Sequence, residues 1–214
     1  MKIVAIIPIK LNNERLPGKN TMLLGGKPLI SYCLSELLNV KKINNIFVYC
    51  SSENIIPYLP AGVTFLKRSE HLDSNRTNFT QIFQEFSNSI ISDIYIYAHA
   101  TAPFVKKETI KKGLDAVISG RYDSAFCAEK IQDYLWKDGN PLNFNAQNLP
   151  RSQDLPVIFR ETSGVYIFTK DVFQKYQRRI GVNPYIIELD KKESIDINTE
   201  ADFKFAENML NLNL

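Results

Sequence analysis

Cysteine is scarce in this 214-residue chain, with only Cys33, Cys50 and Cys127. They lie far apart, are odd in number and form no CxxC pair, which argues against a zinc site or a disulfide framework. Each sits in an apolar run, so buried free thiols are expected. Histidine is scarcer still: there are two, His71 and His99. No Ser/His/Asp or Cys/His array is evident from them. Net charge is only +3, and the lysines and arginines are scattered among acids, so a basic face for nucleic acid is not expected. No apolar run approaches the roughly 20 residues of a membrane span. The apolar stretch after Lys2 is too short for a signal peptide and lacks a small-residue cleavage site. Neither GxxxxGK[ST] nor GxGxxG occurs, which excludes a Walker loop and a classical dinucleotide turn. These absences lead us to expect a cytoplasmic chain without membrane or nucleic-acid partners.

The composition is that of a globular domain, with 44% hydrophobic and 23% charged residues. Short runs rich in β-branched and aromatic residues predict strands at Ile3–Ile9, Ile46–Cys50, Val63–Leu66, Asp93–Ala98, Ser124–Ala128 and Gly164–Phe168. Helical spacing predicts helices over Pro28–Val40, Thr77–Ser89, Lys107–Ser119, Asp171–Arg178 and Thr199–Leu212. Phe79, Ile82, Phe83 and Phe86 form a stripe read as core. Thr199 followed by Asp202 resembles a capping box with the shorter acid. The alternation predicts one three-layer α/β domain over residues 1–214 with a mostly parallel sheet. Residues 131–161 break that rhythm. They are polar and aromatic, with a turn signal at Asp138, Gly139, Asn140 and Pro141, and read as a protruding hairpin or arm.

Residues 10–20 read KLNNERLPGKN and follow the first predicted strand. In such sheets, ligands bind beyond the carboxyl ends of the strands. Three cations, Lys10, Arg15 and Lys19, fall within ten positions, and Gly18 lets backbone come close to a ligand. Fixed cations there would stabilise the charge that develops on a leaving pyrophosphate. On charge alone, a solvated surface loop accounts for the same residues equally well.

Further residues decide between these readings. IPIK at 7–10, RLPGKN at 15–20 and GKPLI at 26–30 resemble the opening of the CMP-sugar-acid synthetases. These comprise the acylneuraminate cytidylyltransferases and their relatives acting on 3-deoxy-manno-octulosonate. KRSEHL at 67–72, HATAP at 99–103, RSQDLP at 151–156, SGVYIF at 163–168 and ESIDINT at 193–199 are similar to later family motifs, in the same order. The chain departs from those motifs at several places. Lys10 stands where the family usually has Arg, and Asn12, Asn13 and Glu14 replace a Gly-Gly-Ser-Lys stretch. His99 replaces Gln, Ser163 replaces Asn, and Asn198 replaces the second acid of a closing pair.

The resemblance implies Rossmann-like nucleotide-binding halves of the nucleotide-diphospho-sugar transferase type, and CMP transfer from CTP to a small anionic acceptor. It implies a catalytic set of Lys10, Arg15, Lys19 and Asp196, and nucleotide contacts from Asn12, Gly18, Asn20, Arg68 and Thr77. It places His99, Thr101, Arg151, Gln153 and Ser163 on the acceptor side. Mg²⁺ would bind at Asp196 and Asn198, and the arm would mediate a homodimer. The acceptor is expected to be a sialic-acid-like nonulosonic acid. Octulosonate, a phosphonate, a phosphate ester, or a relative that binds CTP without turnover are the alternatives.

Overall fold

The computed structural model describes residues 1–211. In chain order its elements are β1 (Ile3–Ile9), β2 (Leu23–Leu24), β3 (Lys27–Pro28), α1 (Leu29–Leu38), β4 (Asn45–Cys50), β5 (Val63–Lys67) and α2 (Phe79–Ser89). There follow β6 (Ile94–Ala98), α3 (Lys107–Ile118), β7 (Ser124–Ile131), β8 (Trp136–Lys137), β9 (Asn140–Pro141), β10 (Ile158–Thr169), α4 (Lys170–Tyr176), β11 (Pro184–Leu189) and α5 (Glu200–Asn211). Seven strands form one sheet in the order β11-β7-β10-β6-β1-β4-β5. Only β10 runs antiparallel to its neighbours.

Strand β1 explains the layering. Its residues alternate between two cores, as a strand's period of two requires. Ala5 and Ile7 join Leu34 of α1 and Leu114 of α3 on one face. Val4 and Ile6 join Phe83 and Phe86 of α2 and Phe173 of α4 on the other. Phe83 and Phe86 are fully buried, so the aromatic stripe is core. Burial of each such side chain contributes about 1.5–3 kcal/mol. Gly113 brings α3 close to the sheet: a Cβ there would lie 2.3 Å from Ile187 Cδ1. The three cysteines are free and buried, as expected.

Several expected boundaries move. Helix α2 begins at Phe79 rather than Thr77, because Asn78 and Gln81 form a reciprocal capping box. Helix α1 begins at Leu29, with Pro28 in an extended conformation before it. The capping box at Thr199 and Asp202 forms, while Leu212 lies outside the described residues. Strand β11 was not expected. It opens on a proline at the sheet edge, where a missing N–H costs least.

Two features position the site. The chain passes outward from β1 through β4 and β5, then returns to β6 on the other side of β1. This switch point opens a crevice at the carboxyl ends of β1 and β6. Strand β10, whose partner across the sheet is β6, loses register with β7 between Glu161 and Tyr166, so Thr162 and Ser163 bulge there. Beyond the bulge, β7 and β10 stay paired out to Ile131 and Ile158. Residues between them carry the β8–β9 hairpin, closed by Asp138 and Gly139 with φ of 50° and 77°. Among the described residues, no helix is long and apolar enough to cross a membrane.

Candidate active site

A third apolar cluster holds the ends of the chain together. Leu16 of the cation loop packs with Ile197, Phe203 and Ala206. Loop 10–20 and segment 195–199 are therefore seated on the same small core. The loop turns at Gly18, which adopts φ of 66°, and the Gly18 carbonyl accepts from the Thr21 amide and hydroxyl. Asn20 is buried and donates to the Lys10 carbonyl and to Asn13 Oδ1, so it shapes the loop from within.

The three cations face one cavity. Lys10 Nζ donates to Asn75 Oδ1 and to the Asp73 carbonyl, and Asn75 in turn donates to Glu14. Lys19 is 7% exposed, and its Nζ donates to the Ile197 carbonyl at 2.8 Å. Burial lowers the Lys19 pKa, Asp196 opposes that shift and Arg15 adds to it. Arg15 donates to Asn198 Oδ1 at 2.8 Å, and Asn198 Nδ2 donates to Asp196 Oδ2 at 2.7 Å. A cavity of about 300 Å³ is bounded by Lys10, Asn13, Arg15, Lys19, Asn75 and Asn198, among others. Asn12 lines a neighbouring cavity of about 490 Å³ with Ser51, Lys67 and Asp73. A further cavity of about 470 Å³ lies between α2 and α4, where Lys170 is the single charged lining residue. Of these three, the first alone gathers several cations of the kind a triphosphate needs.

Segment 195–199 belongs to no strand, and the Ile197 amide donates to the Thr101 carbonyl at 2.8 Å. The hydrogen bond between their side chains nonetheless shows Asp196 and Asn198 facing each other. Asp196 Oδ1 is buried and has no hydrogen-bond partner. A lone buried carboxylate oxygen is a fitting ligand for a hard cation. Asn198 fits less well, because its oxygen already accepts from Arg15. The amide cannot be reversed, since its NH₂ would then face a pure donor. Among the described residues, no group of three or more His, Cys, Asp or Glu gathers to hold a metal. Any cation here would draw most of its ligands from substrate.

Arg68 is 2% exposed and pairs with Asp73, which also accepts from Ser51 Oγ at 2.6 Å. Its Nε is buried without a partner. Thr77 is half-buried and precedes the helix cap. Across the crevice, the His99 amide donates to the Gly164 carbonyl, which sets His99 beside the bulge that carries Thr162 and Ser163. His99 Nε2 and Thr162 Oγ1 are buried without partners. Burial, reinforced by Arg179, pushes the His99 pKa down to about 4, with Asp196 opposing. The imidazole is neutral at pH 7 and too weak a base to hold a transferred proton. Arg151 and Gln153 stand exposed on the arm, where Asp154 occupies the Arg151 guanidinium through two bonds of 2.7 and 3.0 Å. Sequence reasoning missed Arg179 and Glu161 at this end, because neither falls in a recognisable motif.

The chain is similar to known proteins over nearly its whole length. A family profile described as "Cytidylyltransferase" matches residues 4–213. The chain is 28% identical to the CMP-N,N'-diacetyllegionaminic acid synthase of Legionella pneumophila, covering 100% of this chain and 98% of that protein. It is 25% identical to the pseudaminic acid cytidylyltransferase of Campylobacter jejuni, with the same coverage. With the N-acylneuraminate cytidylyltransferase A of Danio rerio it shares 24% identity over 96% of this chain, yet spans only 50% of that longer protein. Among solved structures, a CMP:2-keto-3-deoxy-manno-octonic acid synthetase complexed with CTP superposes with a TM-score of 0.75, at 17% identity and 100% coverage of both chains. That last likeness bears on fold alone. On the profile match across nearly its whole length, this chain belongs to the cytidylyltransferase family.

Proposed function

We propose that the chain transfers CMP from CTP to an anionic sugar acid, with a sialic-acid-like nonulosonic acid as acceptor. The observation that carries this reading is the convergence of Lys10, Arg15 and Lys19 on one cavity, with Asp196 hydrogen-bonded to Asn198 in its wall. An acceptor hydroxyl attacks the α-phosphorus, an oxygen–phosphorus bond forms, the bond to the β-phosphate breaks, and the hydroxyl proton passes to solvent. Lys10, Arg15 and Lys19 stabilise the charge gathering on pyrophosphate. They are already held by Asn75, Asn198 and Ile197, so little reorganisation is needed during transfer. Bound Mg²⁺ would neutralise phosphate charge, and Asp196 is the side chain that would hold it. Asn12 and Arg68 are the residues we assign to the nucleoside side. Relatives of matching length are named for legionaminic and pseudaminic acids, which supports a nonulosonic acceptor.

The arm carries exposed Trp136, Leu142 and Leu149, a face suited to a second copy in a homodimer. Buried free thiols favour a reducing cytoplasm. Pyrophosphate release with CTP, Mg²⁺ and a panel of acids tests the reading. Release with a nonulosonic acid supports it. Release with octulosonate or a phosphorylated acceptor alone would change the acceptor, and CTP binding without turnover on any acid would refute transfer.

A further inference from the structure

A second polar cluster lies at the far side of the crevice, away from the triphosphate cations. Arg179 emerges after α4, where Gln177 takes a left-handed φ of 53° and ends the helix. Its guanidinium lies over the Tyr166 ring, 3.6 Å from the centroid, and 5.5 Å from that of Phe79. It donates to Tyr166 Oη at 2.9 Å and to Glu161 Oε1 at 3.4 Å. Tyr166 Oη also donates to Glu161 Oε1, at 2.5 Å. Glu161 is 45% exposed, whereas Arg179 is 26% exposed. The carboxylate can therefore swing into water while the guanidinium stays fixed on the aromatic ring.

The surroundings are unfinished in the same place. The His99 ring lies 6.0 Å from the Tyr166 ring. His99 Nε2 and Thr162 Oγ1 are both buried without partners, and Thr162 adjoins Glu161. Native proteins rarely leave such groups unpaired unless something else completes them. His99 packs against Tyr166, the ring beneath Arg179, and lies two residues before Thr101, whose carbonyl accepts from the Ile197 amide beside Asp196. A planar fork beside neutral hydrogen-bonding groups matches a sugar acid: the carboxylate for the guanidinium, the hydroxyls for the rest. Arg151, the arm residue with that role by resemblance, has its fork committed to Asp154 and a side chain 72% exposed.

We propose that Arg179 binds the acceptor's carboxylate, and that Glu161 is the resident anion which the acceptor displaces. This rests on the transferase reading given above, but its test reads binding as well as turnover. The full chain is titrated with N-acetylneuraminate and with 3-deoxy-manno-octulosonate by calorimetry, in the presence of a non-hydrolysable CTP analogue. Loss of one charged partner predicts that Arg179→Gln weakens acid binding by at least about tenfold while the CTP analogue changes by less than about twofold. Arg179→Lys keeps the charge without the fork and falls between the two. Glu161→Gln removes the competing anion and strengthens acid binding. An amide analogue of the acid, lacking the carboxylate charge, binds the parent chain and Arg179→Gln alike. Unchanged acid affinity in Arg179→Gln would overturn the assignment, as would a loss confined to the CTP analogue. Acid bound through Arg179 without pyrophosphate release would refute transfer yet uphold this site. Binding of neither acid to the parent chain would overturn this site, while transfer stands or falls on pyrophosphate release with the wider panel of acids.

Discussion

Lys19 Nζ donates to the Ile197 carbonyl across 178 positions of sequence, and that bond ties the loop after the first strand to the segment before the last helix. Burial lowers the Lys19 pKa from 10.5, against the pull of Asp196 and with a push from Arg15. As pH rises through the lowered value, the triphosphate loses a counter-charge. CTP affinity should therefore fall earlier on the alkaline side than an ordinary lysine would allow. Lys19→Arg should move that limb to higher pH. The folded state also holds fewer protons than the unfolded one in this window, so stability should rise with pH there. CTP titrations and denaturant midpoints across alkaline pH check both.

Asn198 bridges Arg15 and Asp196 where an acid would add charge. Asn198→Asp should lower the Mg²⁺ concentration needed for half-maximal pyrophosphate release. An unchanged metal titration would count against placing this residue at the metal.

His99 should make the fold acid-sensitive. Its folded pKa is about 4, against an ordinary 6.5. Between these values the unfolded chain binds the proton and the folded chain does not. Stability should fall as pH drops through that window, by up to about 1.4 kcal/mol per pH unit. His99→Gln should flatten that slope in urea unfolding series.

Asp202 accepts from the Asn198 and Thr199 amides and from the Thr199 hydroxyl. Asp202→Ala removes this cap and should cost about 1–2 kcal/mol of stability. It should also weaken CTP binding, because Asn198 is held by the same oxygen. Urea midpoints and CTP titration of one variant measure the two effects.

Trp136 is 59% exposed, with its ring packed edge-on to Phe144 at 5.4 Å. If the arm joins two copies, Trp136→Glu should convert a dimer to a monomer in sedimentation, without changing the thermal midpoint of the sheet.

The fold was legible wherever burial imposes a pattern. The IVAIIPI run of β1 must be a strand covered on both faces, and α2 must present Phe83 and Phe86 inward. Strand β11 escaped notice because Pro184 and Glu188 interrupt its apolar run; it relies on pairing with β7. In the site, Lys10, Arg15 and Lys19 stood out because three cations fell in one loop. Asn20, expected to touch nucleotide, also shapes the loop, donating to the Lys10 carbonyl and to Asn13 Oδ1, a role its spacing did not reveal. Arg179 gave no signal, since a cation after a helix end resembles any surface residue until Tyr166 is placed beneath it. Pair relations of that kind arise from tertiary packing rather than from spacing.

Because Leu16 rests against Ile197, Phe203 and Ala206, the cation loop is seated on residues that are synthesised long after it. A nascent chain can complete β1 and its loop long before Asp196 exists. Nucleotide capture would thus wait on the docking of α5, and CTP would stabilise only molecules in which that helix is seated.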